Sequence, residues 1–337
     1  MVKLKLIVLQ ISKFIKTLLF ISVFFLFAVN SNSLIAQGCC SGGTPISNNL
    51  NIGIAAARSF SANLSYDYNH LEDLVSGSEE LDDKLRRRVN HSILLRSRYA
   101  FNERLSVIGL FTWIRQEELN RSVIPGGADF SRRAQGIGDV ITLLQYKLWQ
   151  RNDNTLILAA GLKWPFGDTE IVDPDNGIPY NPDLQPGTGS YDFQGSVYFG
   201  RQHFLFQGNQ FNFTTSYRKS NEFDRFDGQQ QYRFGDELFI DAGISFPTVI
   251  STLLFYPELS FRYRFQTVAQ TNGANTVNTG GHWLYITPGF RLAITPEWSV
   301  FFFSEIPIYR NLKGVQLTTS YRIGTGVQLD LSFADGE

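Results

Sequence analysis

The sequence predicts an all-β fold, a single-domain antiparallel transmembrane β-barrel of twelve strands. Three observations predict it: a long two-faced strand near the C-terminus, an even number of strand-like segments, and connectors that alternate in length. Residues 315–333 alternate without interruption between an apolar and a polar set of side chains. Because strand side chains alternate with period two, one face of this strand is apolar and the other polar. A membrane barrel turns the first face to lipid and the second to an aqueous lumen.

The strand-like segments number twelve, and single-chain bacterial barrels have even strand numbers. The segments are 51–68, 89–101, 104–116, 138–150, 154–165, 190–206, 210–219, 232–247, 252–267, 283–294, 298–309 and 315–333. Short connectors, such as 102–103 and 295–297, alternate with long ones, such as 69–88 and 166–189. Short turns on one side of a membrane and long loops on the other are typical of these barrels. Both termini would then lie on the short-turn side.

Two features of the apolar faces need explanation. All five Trp residues lie near strand ends, where an interfacial girdle is expected. Strand parity supports the lipid face for Trp164 and Trp298 and argues against it for Trp149 and Trp283. Arg58 falls on the lipid parity of the first strand, where an arginine near the midplane costs roughly 2–4 kcal/mol. Either that strand starts near residue 59 rather than 51, which we favour, or Arg58 lies at the interface.

The N-terminus resembles an export signal. Residues 1–16 carry four Lys and no acid, and an apolar stretch of about 13 residues follows before the small residues that end at Ala36. That stretch is short for a membrane helix. We therefore expect a signal peptide over 1–36, an N-terminal periplasmic segment over 37–50, the barrel over 51–333, and a C-terminal tail over 334–337. A helix-free exported membrane protein implies the outer membrane of a Gram-negative cell.

Charge argues against a nucleic-acid partner. Removal of the four signal-peptide Lys leaves 26 of the 30 Lys and Arg against 31 Asp and Glu, so the mature chain carries about −5. No cofactor is expected. The partners expected are outer-membrane lipid and lipopolysaccharide, a small-molecule solute, and the barrel-assembly machinery during insertion.

Charged residues on the predicted lumen faces are the main site candidates. They are Arg96, Arg98, Asp241, Glu258, Arg262, Arg264, Glu305, Arg322 and Asp330. Hairpin register predicts Glu237 roughly opposite Arg262 and Glu305 roughly opposite Arg322. These residues form either a charged constriction that selects solutes or a ladder of pairs that rigidifies the interior, and a barrel of twelve strands is compatible with both.

The only two cysteines, Cys39 and Cys40, are adjacent and follow the predicted cleavage site. They are candidates for a metal site because two thiolates suit a soft ion such as Cu(I). A vicinal disulfide, lipidation of Cys39, and a tail without chemistry are the alternatives. The interpretation that we favour is a tail without chemistry.

No enzymatic activity is expected. The tripeptide Asn90-His91-Ser92 has the residue types of outer-membrane phospholipase A but not that family's order or spacing, and its His and Ser point to opposite faces. The acidic stretch 173–177 resembles part of a calcium loop but lacks the closing Glu, so a solvated acidic loop is favoured. The basic residues at 84–88 would either contact lipopolysaccharide phosphates or form a solvated rim.

A succession of short motifs resembles a known family. G-x-G-D at 136–139, G-x-K-x-P-x-G at 161–167 and G-T-G-S-x-D-F at 187–193 are similar to outer-membrane proteins grouped under the meta-pathway of phenol degradation. The motif residues are Gly136, Gly138, Asp139, Pro165, Gly167, Gly187, Gly189 and Asp192. The resemblance implies a barrel that transports small, apolar or aromatic molecules. The glycines are also explained without a ligand, because they permit tight bends and close packing.

The sequence thus predicts a passive outer-membrane channel or transporter for a small molecule. The alternative is a non-transporting barrel that acts in the envelope structure or binds at the surface through its outer loops.

Overall fold

The computed structural model describes most of the predicted barrel. The residues described are 57–83, 85–122, 127, 129–226, 230–250 and 252–333, without the side chains of 224–226. All of them belong to one compact unit, Leu34–Glu337; the other unit, Met1–Ser33, is not described. The predicted signal peptide, the N-terminal segment, Cys39, Cys40 and the C-terminal tail therefore lie outside the described residues.

The described residues form eighteen strands and one short 3₁₀ helix, Pro182–Leu184. The strands are β1 Ser59–Gly77, β2 Glu79–Leu81, β3 Arg86–Ala100, β4 Leu105–Asn120, β5 Phe130–Ile137, β6 Val140–Arg151, β7 Asn154–Trp164, β8 Asp192–Gln202, β9 Gln210–Lys219, β10 Glu222–Phe226, β11 Gln230–Arg233, β12 Glu237–Ser245, β13 Thr248–Ile250, β14 Leu253–Gln266, β15 Gln270–Thr271, β16 Ala274–Asn275, β17 Gly281–Ala293 and β18 Trp298–Ser332. Within the described part of the chain, no helix is long and apolar enough to span a lipid bilayer.

An antiparallel sheet closes into a barrel. Its neighbours run β12-β9-β8-β7-β6-β4-β3-β1-β18-β17-β14, and β14 pairs with β12 to complete the ring. Eleven strand elements form this ring, but β18 folds back on itself. Its residues 299–312 pair with β17, its residues 312–332 pair with β1, and the Asp330 N–H donates to the Glu297 carbonyl at 2.8 Å. With its two arms counted separately, the ring has the twelve strands predicted.

The barrel ends differ as the connectors predicted. Tight turns join the strands at one end, here called the short-turn end, and the other, long-loop end carries the longer segments. Part of the long loops is itself ordered: β10, β11, β15 and β16 form a separate four-stranded sheet. Most of these residues were predicted to lie in loops, because segments of two to five residues carry little alternation.

Side chains alternate between the lumen and the outer surface as the sequence predicts. In β18, Gln316 and Arg322 are buried inside, while Tyr321 and Val327 are exposed outside. Large apolar side chains exposed on the outer surface recur around the ring: Leu64, Tyr66, Ile93, Leu95, Phe111, Leu144, Tyr146, Leu158, Val197, Phe261, Phe302 and Ile306. A soluble protein rarely exposes such a surface, whereas a lipid-facing wall requires it.

Arg58 does not face lipid from within a strand. The first strand begins at Ser59, as the shorter alternative predicted, and Arg58 is an exposed turn residue with a φ of 51°. The chain therefore reaches the barrel wall only after the arginine.

The tryptophans give one confirmation and one correction. Trp283 points inward as its parity predicted and is 2% exposed. Trp149 was expected to face away from lipid, but its side chain is exposed. The register of β6 and β7 shifts between Lys147 and Trp149. Such a bulge inserts one residue and reverses the facing of the residues beyond it.

Candidate functional site

The lumen is lined by charged side chains that pair across strands. Arg262 bonds to Asp241 at 2.8 Å and to Glu305 at 2.9 Å. Arg322 lies 3.6 Å from the other oxygen of Glu305 and 2.7 Å from Asp67. We call these five residues the mid-lumen chain. Asp67 was not among the predicted site residues, although it lies on the lumen parity of β1.

One predicted pairing is wrong. Glu237 lies opposite Gln266, and the strand neighbour of Arg262 is Asp241. The hairpin turn was expected earlier in the chain, but pairing continues through β13, where Thr248 lies opposite Phe255. The later turn shifts the register by four residues. The other predicted neighbours, Glu305 and Arg322, do approach each other.

A second group of charges surrounds Lys163, whose side chain is fully buried. Its Nζ lies 2.9 Å from Asp139 Oδ2 and 2.8 Å from Asp192 Oδ2. Arg218 pairs with Glu237 and lies 4.0 Å from Asp192. Burial of these charges is tolerated because each has an opposite partner.

The group extends to Arg264 on the neighbouring strand β14, which bonds to Glu237 at 2.6 Å and lies 4.7 Å from the centroid of the Trp283 ring. The Lys163 cluster comprises Lys163, Asp139, Asp192, Arg218, Glu237 and Arg264. Its three cations balance its three carboxylates. Only Asp139, Asp192 and Arg264 were among the predicted site residues. Lys163 could have been predicted as well, because it is the single Lys among the β7 residues that alternate toward the lumen.

The predicted motif glycines bring a long loop against this cluster. Asp139 Oδ1 accepts the Gly167 N–H at 3.1 Å, and Oδ2 accepts the Thr188 N–H at 3.0 Å. One carboxylate therefore fixes both ends of the segment 165–191, which we call the pinned loop. Gly167 and Gly187 touch: a Cβ on Gly187 would lie 2.4 Å from the Gly167 carbonyl carbon.

The remaining motif residues lie around the same place. A Cβ on Gly136 would meet the Asp168 carboxylate at 2.1 Å, and Gly189 has a φ of +72° against the Phe223 ring. Gly138 packs on Thr112, and Pro165 follows the last residue of β7. Residues that are far apart in sequence thus meet where the start of β6 lies beside the junction of β7 with the pinned loop.

A further contact holds the 3₁₀ turn Pro182–Leu184 of the pinned loop, which we call the loop tip. Arg88, from the predicted basic rim, is buried and bonds to Asp183 and Glu118, both at 2.8 Å. Arg88 is therefore not part of a solvated rim. Asp173, in the predicted acidic loop, accepts the Asp175 N–H at 3.0 Å and the Asn176 side-chain amide at 3.2 Å. Its oxygens stabilise a local turn.

The lumen also has an apolar wall that the sequence analysis did not identify. Six buried side chains on the lumen faces of β3, β4, β6 and β7 contact one another: Leu94, Ile108, Leu110, Ile141, Leu143 and Ala159. Their outward neighbours, such as Phe111 and Leu144, are also apolar. Where both faces are apolar, alternation carries no information, and for this reason the wall was missed.

The other predicted charges lie apart from the two groups. Arg96 and Arg98 face the lumen from β3 beside the apolar wall, with Arg96 8% exposed. Asp330 accepts a hydrogen bond from Gln328 at 2.7 Å. Glu258 lines a separate cavity near the short-turn end.

His91 and Ser92 point to opposite faces as predicted. His91 is bonded through Nδ1 to the Tyr66 hydroxyl at 2.6 Å on the outer surface, whereas Ser92 is buried inside. Across the described ranges, no three His, Cys, Asp or Glu residues group as metal ligands would. The predicted metal candidates Cys39 and Cys40 lie outside those ranges.

Comparisons with known proteins agree with this architecture at the level of the fold. No family model and no curated protein matches the chain. An outer-membrane channel from Pseudomonas putida F1 has a similar structure, with a TM-score of 0.63 and 11% identity over 85% of this chain and 100% of that one.

Two other barrels are less similar. The β domain of the Bordetella autotransporter BrkA has a TM-score of 0.44 at 10% identity, over 80% of this chain and 100% of that one. The NanC porin has a TM-score of 0.41 at 11% identity, over 81% and 100%. The chain has the fold of an outer-membrane β-barrel. Its apolar outer surface agrees with that location.

Proposed function

We propose that this protein is a passive outer-membrane channel for a small, apolar or aromatic molecule. The observation that carries the proposal is the apolar wall. The interior of a membrane barrel is ordinarily polar. A water-filled pore would therefore not explain the six apolar side chains, including Leu110 and Ile141, that contact one another on lumen faces.

The charged side of the lumen fits the same function. Most of the mid-lumen chain lies on β12, β14 and β18, away from the apolar wall, and its last residue, Asp67, lies on β1 beside β3. A solute passing between the two walls would meet an apolar surface on one side and fixed charges on the other. Apolar pockets with a few placed polar groups are how proteins hold small organic molecules. The motif resemblance to the phenol-degradation group supports an aromatic solute.

Solute flux into liposomes tests the proposal. Benzenesulfonate and propanesulfonate carry the same charge, but only the first has an aromatic ring. The ratio of their entry rates therefore measures the preference for an aromatic solute that the apolar wall would give. We expect wild-type barrels to pass the aromatic ion faster, and Leu110→Asn to reduce that preference. Leu148→Asn, at an exposed outer position near the short-turn end, is the matched control. Equal rates in wild type and in Leu110→Asn would contradict the proposed solute class.

Planar-bilayer conductance tests the channel itself. Arg262→Gln leaves Asp241 and Glu305 without their shared guanidinium, so ion selectivity should shift toward cations. Arg151→Gln, at the exposed last residue of β6, should not change the ion selectivity.

A second candidate is a barrel that does not transport and acts through its outer loops. The observation in its favour is the pinned loop, whose ends and tip are fixed by Asp139 and Arg88. A folded barrel that passes neither ions nor small solutes would replace the channel proposal with this one.

A further inference from the structure

A cavity of about 80 Å³ opens inside the barrel, between the mid-lumen chain and the short-turn end. Gly243 and Gly289 line it, and neither has room for a side chain: an added Cβ would lie 2.9 Å from the Ser260 Cβ and 2.7 Å from the Phe302 carbonyl oxygen, respectively. The side chains around it that carry the argument are Tyr198, Glu258, Ser260, Thr287, Phe301 and Phe303. We call this space the Glu258 cavity. It is large enough for a few waters or one small organic ion.

Glu258 differs from the lumen carboxylates near it in forming no ion pair with a described residue, although the Arg291 guanidinium lies near enough to favour its charged form. Asp241 and Glu305 each have an arginine partner, but no Lys or Arg in the described ranges forms an ion pair with Glu258. The nearby Arg291 instead lies over the Tyr256 ring, 4.1 Å from its centroid. A carboxylate in a confined interior is costly without a positive partner.

The charges around the cavity add to the same conclusion. The mid-lumen chain with Glu258 and Arg291 contains four carboxylates and three guanidinium groups, a sum of −1. Arg96 and Arg98 lie on β3, on the far side of the ring from β14. Glu258 and Arg291 carry opposite charges, so the excess lies in the mid-lumen chain, and one added cation in the neighbouring cavity would balance this side of the lumen.

The other cavity walls indicate what kind of cation fits. The Thr287 side chain is 4% exposed, and its hydroxyl oxygen has no hydrogen-bond partner among the described residues. Phe301 and Phe303 are buried aromatic side chains. Aromatic rings attract organic cations but do not ligate metals, and a hard divalent ion needs six or more oxygens. A single unpaired carboxylate beside two aromatic rings suits an ammonium group.

We propose that the Glu258 cavity binds a small organic ammonium ion. Glu258 pairs with its charge, the Thr287 hydroxyl accepts an N–H, and the two phenyl rings cover its alkyl groups. Binding at this site does not require permeation through the barrel, so it is independent of the proposed channel function.

Equilibrium binding to the folded mature barrel in detergent micelles tests the proposal, with methylammonium and tetramethylammonium chloride as probes and ligand-observed NMR as the readout. Glu258→Gln keeps the side-chain shape and removes the charge, so the affinity for both probes should fall about tenfold or more. Thr287→Val should weaken methylammonium binding only, because tetramethylammonium has no N–H to donate. Glu103→Gln, the same change in an exposed turn, is the control.

Several outcomes overturn the proposal: no saturable binding to folded wild type, unchanged affinity in Glu258→Gln, or equal loss in Glu103→Gln. Competition by sodium at concentrations equal to those of the probes would also overturn it, since the site would then not distinguish organic cations. Binding without conductance would leave this inference standing and remove the proposed channel function.

Discussion

The Lys163 cluster and the Glu258 cavity are both charged regions of one lumen, yet they are built oppositely. In the cluster, three cations and three carboxylates are matched, and Lys163 is fully buried between two acids. In the cavity, the Glu258 carboxylate has no ion pair among the described residues and lies beside about 80 Å³ of open space. Matched and closely packed charges stabilise a structure, whereas an unmatched charge beside a cavity is available to a ligand. Four substitutions test this difference.

The largest effect is expected for Lys163→Met. Removal of the cation leaves Asp139 and Asp192 buried and unpaired, which should cost about 3–5 kcal/mol of unfolding free energy. Urea unfolding of the refolded barrel in micelles, followed by tryptophan fluorescence, measures it. Lys147→Met, which removes an exposed bond to Gln150, should change stability by less than about 0.5 kcal/mol. A similar loss in both variants would mean that the cluster is not the stabilising element.

Gly187→Ala should lower the free energy of unfolding by about 2 kcal/mol, because the added Cβ meets the Gly167 backbone. Neither segment can move away without breaking a hydrogen bond to Asp139. Limited proteolysis should then cut the pinned loop more readily. The control is Gly195→Ala, where the nearest atom to the added Cβ is 3.9 Å away. Equal protease resistance in wild type and Gly187→Ala would show that the loop is held elsewhere.

Asp183→Asn should lower the free energy of unfolding by less, about 1.5 kcal/mol, because Arg88 keeps its bond to Glu118. The loop tip should become sensitive to protease while the ends, held by Asp139, stay protected. Asp175→Asn, at an exposed position of the same loop, is its control. Cleavage at the ends in Asp183→Asn would contradict the separate roles given to Asp139 and Arg88.

Glu258→Gln should have the smallest effect on stability, within about 1 kcal/mol and in the stabilising direction, since it removes a charge that lacks an ion pair. Urea unfolding of this variant beside Lys163→Met makes the comparison directly. A large loss of stability would show that Glu258 has a structural partner, and the cavity would then resemble the cluster.

Much of the fold follows from alternation alone. The two faces of 315–333 and the short and long connectors predict the barrel, its twelve strands and the lumen parity of residues such as Arg322. Alternation fails where both faces are apolar, as at Ile108 and Leu110, and where a bulge intervenes, as before Trp149. The motif glycines were noticed in the sequence, but not that they meet at Lys163.

The sequence by itself determined which side of the wall most side chains occupy, because a strand's period of two is a local property of the backbone. Tertiary structure decided which lumen charges meet. Register depends on where each turn closes, and the four-residue shift at β13 places Arg262 opposite Asp241 instead of Glu237. The pairing of β7, β8, β9 and β12 side by side then placed their charges around Lys163 and left Glu258 beside a cavity, a result that no single strand encodes.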